Sequence, residues 1–222
     1  MNYITWARQN KKALVAKLVG TVEPAKDGEA PVAVFAAGIP GAGKTEFLDR
    51  LLATVPDIVR IDMDEVVKLF DEYTPEKYYE FRGAANIIVD EAVIYCRQHR
   101  LDFVLDGTFG SGRAVDNVRS ALKRHQVIIF YVWKDPAVAW QHTQDRQLVT
   151  RRGIDRAGFI ESCLHVPHNL REVRQKFINK IEVAVIRKDL ASNKFEMTRS
   201  SDLIDELLEV RYTKEDLERT LK

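Results

Sequence analysis

Residues Gly38 to Thr45 read GIPGAGKT, a full match to the spacing G-x-x-x-x-G-K-[ST]. The spacing follows from chemistry. Glycines let the backbone curl with its N–H groups turned inward on phosphate oxygens, and a helix starting there adds its positive end. Lys44 is set to bridge the β- and γ-phosphates of ATP, and Thr45 to ligate Mg²⁺. Gly38, Ile39, Pro40, Gly41, Ala42, Gly43, Lys44, Thr45 and the adjoining Glu46 are therefore expected to hold ATP. The loop does not say what receives a phosphoryl group.

Acidic residues behind apolar runs bear on that question. IVRIDMDEVV carries Asp62 and Asp64, and DFVLDGTFGSGR carries Asp106 and Thr108. In an open α/β sheet, ligands sit beyond the carboxyl ends of the strands, where these residues fall. Asp64 could take the proton of an attacking hydroxyl, or cap the helix that follows. Asp62 could face the substrate, or act as a helix N-cap with Glu65 three residues on. Asp106 partly matches an apolar run ending in an acid, so a metal or substrate role is expected for it. Thr108 offers a hydroxyl to the same crevice. Glycines at 107, 110 and 112 suggest a sharp turn and a loop that approaches a ligand closely.

Further on, QHTQDRQLVTRRGIDRAGFI gathers Arg146, Arg151, Arg152 and Arg156. Arginines closing over a γ-phosphate neutralise the charge that develops in transfer, worth about 10³–10⁵ in rate. Arg146 and Arg152 are the expected catalytic pair of a lid, with Gly153 as a hinge or turn beside Arg152. Arg151 and Arg156 are expected to be structural or electrostatic.

These residues need elements to position them. Short apolar runs at 32–37, 58–61, 103–105, 127–133 and 183–186 alternate with helical patterns near 43–54, 76–99, 112–124, 136–149 and 155–180. Alternation of this kind predicts a mostly parallel five-stranded sheet wrapped by helices, an α/β fold in one domain. Residues 1–20 predict an N-terminal helix, 21–31 a linker, 32–190 the core, and 201–222 one or two terminal helices. Ser201 with Asp202 and Thr213 with Asp216 are the expected caps there, and Pro136 follows an N-cap at Asp135.

Composition is that of a globular chain: 222 residues, 45% hydrophobic, 30% charged, net charge +1. That balance does not favour a nucleic-acid partner. No apolar run nears the length of a membrane span, and the charged N-terminus lacks a signal-peptide pattern, so a cytoplasmic protein is expected. Cys96 and Cys163 show no ligand spacing and read as buried thiols. Trp133, Trp140 and the Tyr78–Tyr79 pair read as core.

Taken in order, GIPGAGKTEFL, RIDMDEV, FVLDGTF and DRQLVTRRGIDRAGFI resemble the zeta-toxin family of small-molecule kinases over residues 32–174. The resemblance implies a P-loop kinase fold and phosphorylation of the 3′-hydroxyl of UDP-N-acetylglucosamine, with an antitoxin as partner. It maps the family's catalytic aspartate to Asp64, its lid arginines to Arg146 and Arg152, and its acidic residue of the EGT-type element to Asp106. It maps the sugar-contacting threonine to Thr108, and a substrate carboxylate to Asp90 or Glu91. The chain departs from the family where Glu65-Val66-Val67 follows the aspartates and where the loop after Thr108 is rich in glycine, both on the acceptor side. A polynucleotide end, a nucleoside or an antibiotic hydroxyl is the alternative acceptor, and a binding module without turnover the alternative class. The N-terminal helix is expected either to pack on the sheet or to block the nucleotide pocket in cis.

Overall fold

The computed structural model describes residues 2–55, 57–151, 153–189, 194–209 and 211–221. Helix α1 (Tyr3–Val19) leads into strand β1 (Val32–Ala37), the phosphate loop and α2 (Lys44–Leu52). Strand β2 (Val59–Asp62), the single turn α3 (Met63–Val66), the long α4 (Tyr78–Gln98) and β3 (Phe103–Asp106) follow. Then come α5 (Ala114–Ala121), β4 (Gln126–Val132), α6 (Pro136–Thr150), α7 (Arg156–Lys176) and β5 (Ile181–Lys188). Strand β6 (Phe195–Thr198) and helices α8 (Ser201–Leu208) and α9 (Lys214–Thr220) come last, and two 3-10 turns, Val67–Leu69 and Pro75–Lys77, lie between α3 and α4.

The sheet has six strands in the order β2-β3-β1-β4-β5-β6, all parallel but the last. The mostly parallel α/β architecture is as expected, and the strand number is corrected from five to six. Strand β6 escaped notice because it is a four-residue edge strand with two exposed side chains, so it leaves no apolar run. Central β1 is buried from Ala33 to Ala37, as a strand covered on both faces must be. Phe35, Ile61, Phe103 and Ile129 are fully buried, and each such side chain stabilises the fold by about 1.5–3 kcal/mol. One continuous apolar cluster runs from Ala7 in α1 to Leu217 in α9.

Local chemistry fixes several helix starts. Asp135 Oδ1 accepts from the amides of Ala137 and Val138, with Pro136 in the first turn of α6. Thr213 and Asp216 form a reciprocal capping box on α9. The cap of α8 is Ser200 rather than Ser201, one residue earlier than the pattern suggested.

Helix α1 packs on α4 and β2. Tyr3 and Trp6 lie against Phe70, and Tyr3 also against Phe81, with centroids 4.4–6.3 Å apart. Lys11 Nζ donates to Glu91 Oε2 at 2.6 Å. Of the two expected arrangements, the helix therefore takes the packed one. No helix among the described residues is long and apolar enough to cross a membrane.

Ala7 is fully buried in α1. A buried carboxylate there has no partner, so Ala7→Glu is expected to lower the melting temperature by about 5 °C or more. Calorimetry of the variant beside wild type checks this; an unchanged transition would mean that α1 is not part of the cooperative core.

Candidate active site

The phosphate loop needs left-handed backbone where its glycines stand. Gly38, Gly41 and Gly43 have φ of 150°, 77° and 97°. At Gly41 there is also no room: a Cβ would lie 2.2 Å from the Ala139 carbonyl oxygen of α6. Helix α6 is thus pressed on the loop backbone. Lys44 Nζ donates to the carbonyls of Gly38 and Ile39 at 2.9 and 3.0 Å. Burial pushes its pKa down to about 8, with the carboxylates of Asp106, Asp64 and Asp62 opposing and the Arg146 charge adding to the fall. Glu46 faces away to β5, where Lys188 donates to both its oxygens at 2.8–2.9 Å and lowers its pKa.

The acceptor side is built by strand register. Asp62 and Asp106 are direct partners at the ends of β2 and β3. The Gly38 amide donates to the Thr108 carbonyl at 3.1 Å, joining the phosphate loop to the segment after β3. Asp62 Oδ1 accepts from the Asp64 amide at 2.8 Å, so Asp62 does cap α3 while its side chain lies among the acids. Burial is the main cause that raises the Asp62 carboxyl to about 7, followed by the charges of Asp106 and Asp64.

Two acids of α4 are separated by the fold. Asp90 pairs with Arg113 Nη1 at 2.7 Å, beside the loop that carries Thr108, whereas Glu91 pairs with Lys11 of α1. Arg146 is exposed on α6, near enough for its charge to act on Lys44. Arg152 lies outside the described residues. Arg151, not Gly153, makes the left-handed turn that ends α6, with φ 56°, and its guanidinium reaches Glu76 at 3.9 Å. Likewise Phe109, not one of the neighbouring glycines, takes the left-handed position after Thr108, with φ 65°.

Sequence reasoning missed two residues that order this site. Asn169, buried in α7, donates from Nδ2 to the carbonyls of Phe109 and Ser111 at 2.9 and 3.0 Å. Arg60 on β2 donates to Asp106 Oδ2 at 2.6 Å. An asparagine in the middle of an amphipathic helix was the available signal for the first. For Arg60 it was a cation inside a buried strand, two residues before Asp62. Tyr79 is also corrected from core to surface, being 56% exposed at the first turn of α4. Adjacent helical residues point about 100° apart, so Tyr78 and Tyr79 cannot both face inward. Cys96 and Cys163 are free thiols whose burial raises each pKa to about 12.

Mg²⁺ is tested by the donors present. Among the described residues no group of three or more His, Cys, Asp or Glu side chains could cage a metal. So sparse a set of donors, with the Thr45 hydroxyl in the first turn of α2, suits only an ion that keeps its waters and is carried on phosphates.

The model of one family, Zeta toxin, matches residues 16–200. The chain belongs to the zeta toxin family. No curated protein matches it by sequence. Among solved structures it is similar to a chain of the PezAT chromosomal toxin–antitoxin system of Streptococcus pneumoniae. That match has TM-score 0.68 and 15% identity, over 96% of this chain and 90% of that one. A chain of the AvrRxo1-ORF1:AvrRxo1-ORF2 complex with ATP matches at TM-score 0.64 and 12% identity, covering 95% and 72%. A candidate kinase from Chloroflexus aurantiacus matches at TM-score 0.54 and 13% identity, covering 83% and 100%. The fold is that of P-loop kinases. A zeta toxin family member with this loop is a kinase-type, ATP-dependent phosphotransferase.

The raised Asp62 carboxyl has a thermodynamic consequence. Between the unfolded value of 3.8 and about 7 the folded state holds the extra proton, so stability falls as pH rises through that window. In metal-free buffer, Asp62→Asn keeps the capping oxygen and loses the penalty. It is expected to melt at least about 4 °C above wild type at pH 8, with little difference near pH 4. Melting curves at the two pH values check this; an equal difference at both would mean that Asp62 is not strained by its charge.

Proposed function

We propose that the chain transfers the γ-phosphoryl group of ATP to a hydroxyl of a nucleotide sugar, the 3′-hydroxyl of UDP-N-acetylglucosamine, within a single kinase domain. The observation that carries this reading is the register of β2 on β3. It sets Asp62 beside Asp106, next to a phosphate loop bonded to Thr108. An acceptor hydroxyl held there would meet the end of a triphosphate chain held by residues 38–45. The family resemblance supplies the identity of the sugar.

Each residue has a task in this reading. The amides of the loop and Lys44 bind the β- and γ-phosphates, and Lys44 exchanges its two carbonyl partners for phosphate oxygens. Asp64 takes the proton from the attacking hydroxyl at its carboxylate. Arg146 and Arg152 neutralise the charge of the transferred group. Asp106 and Thr108 hold acceptor hydroxyls, and Asp90, whose partner Arg113 adjoins the same loop, is favoured over Glu91 as a further contact. Thr45 and Asp106 would hold Mg²⁺, which would supply positive charge to offset that of the phosphates. Asp62 supports both by capping the turn that carries Asp64.

Membership of the zeta toxin family supports an antitoxin as the partner protein, and ATP and a sugar nucleotide as substrates support a cytoplasmic setting. The PezAT and AvrRxo1 structures come from two-component assemblies, which is consistent with such a partner.

ADP release with purified protein, ATP, Mg²⁺ and UDP-N-acetylglucosamine tests the proposal. Turnover is expected to depend on the acceptor and to fall by about 10³-fold or more in Asp64→Asn, with ATP affinity within about threefold of wild type. Lys44→Ala is expected to abolish transfer. Stimulation by nucleic-acid ends alone, or by no acceptor at all, would overturn the assignment of the sugar nucleotide. An equal loss of ATP binding in Asp64→Asn would make that residue a metal or structural group instead.

A further inference from the structure

Arg60 stands in the middle of β2, and the reading above gives it no task. Residues two apart on a strand share a face, so Arg60 lies on the same side of the sheet as Asp62. Its guanidinium reaches three elements. One arm, Nη1, donates to Asp49 Oδ1 at 2.5 Å, and the other, Nη2, to Asp106 Oδ2 at 2.6 Å. Asp62 Oδ2 lies 3.8 Å from Nη2. Asp49 belongs to α2, the helix that begins with Lys44 and Thr45. A single planar cation thus spans the phosphate-loop helix, the strand leading to Asp64, and the strand that presents Asp106.

Two features separate this contact from an ordinary surface ion pair. The Asp106 side chain is 6% exposed, so solvent does little to hold its orientation, and the fixed fork of Arg60 does. The pairing also occupies one carboxylate oxygen, Oδ2, and leaves Oδ1 as the one to meet a ligand. We propose that Arg60 is a positioning residue that aims the Asp106 carboxylate at the acceptor and fixes the acceptor strands against the phosphate-loop helix. The inference rests on the acceptor-side reading of Asp106. A lysine cannot replace it, because one ammonium on a flexible stem does not reach Asp49 and Asp106 in a fixed plane.

A double-mutant cycle tests the proposal. Arg60→Met fills similar volume without the fork, and Asp106→Asn keeps the shape of the carboxylate without its charge. Each single variant is expected to lose about 100-fold in kcat/KM for UDP-N-acetylglucosamine, and in Arg60→Met, which leaves the Asp106 carboxylate in place, KM for ATP is expected to change less than about threefold. Together they are expected to lose little more than either alone, because both remove one device. Arg60→Lys, chosen to retain the charge and the fold, is expected to recover less than a tenth of wild-type kcat/KM.

The same cycle is read on slow ATP hydrolysis, in which water takes the acceptor's place. Absence of UDP-N-acetylglucosamine turnover in wild type would sink the acceptor assignment, while non-additive losses in hydrolysis would still support Arg60. Additive losses in both reactions, or wild-type kinetics in a folded Arg60→Lys protein, would overturn the proposal. So would a loss in Arg60→Met that tracks only its melting temperature.

Discussion

Two carboxylates side by side at the ends of parallel strands repel one another, and this chain accepts that repulsion beside its phosphate loop. The register of β2 on β3 leaves Asp62 and Asp106 no way to separate, because shifting either strand would also misplace Ile61 and Phe103 in the core. The protein answers with one buried-strand arginine on Asp106 and with a backbone amide on Asp62. Neither answer is complete, and burial first, with the charges of Asp106 and Asp64 added to it, keeps the Asp62 carboxyl high. Such residual strain is common where a fold holds acidic groups ready for chemistry.

How much of this was legible in the sequence depended on whether a residue's task is local. GIPGAGKT needs only its neighbours to form a loop, and it formed one. Apolar runs announced five strands, because a strand buried on both faces must be apolar, whereas edge strand β6 need not be and was missed. Helix caps that act within three residues, such as Asp135 and Thr213, could be read directly.

Tasks set by distant partners could not be read. Nothing near position 60 says that Asp49 and Asp106 will both lie within reach. Asp90 and Glu91 are neighbours with the same chemistry, and only the packing of α1 and the loop after β3 tells them apart. The left-handed positions at Phe109 and Arg151 could not be read either, because glycine is the usual tenant of that conformation and neither residue is one. At Phe109 the cost is borne by context: its ring is buried near Phe35, and Asn169 holds its carbonyl.

The contact of α6 with Gly41 leads somewhere different. The Ala139 carbonyl meets the loop at a point where only a hydrogen atom fits, so no compressible side chain lies between them. The helix that bears Arg146 therefore works like a tooth meshed in the loop. Any shift the loop makes around a triphosphate would be passed to the helix as displacement rather than absorbed as slack.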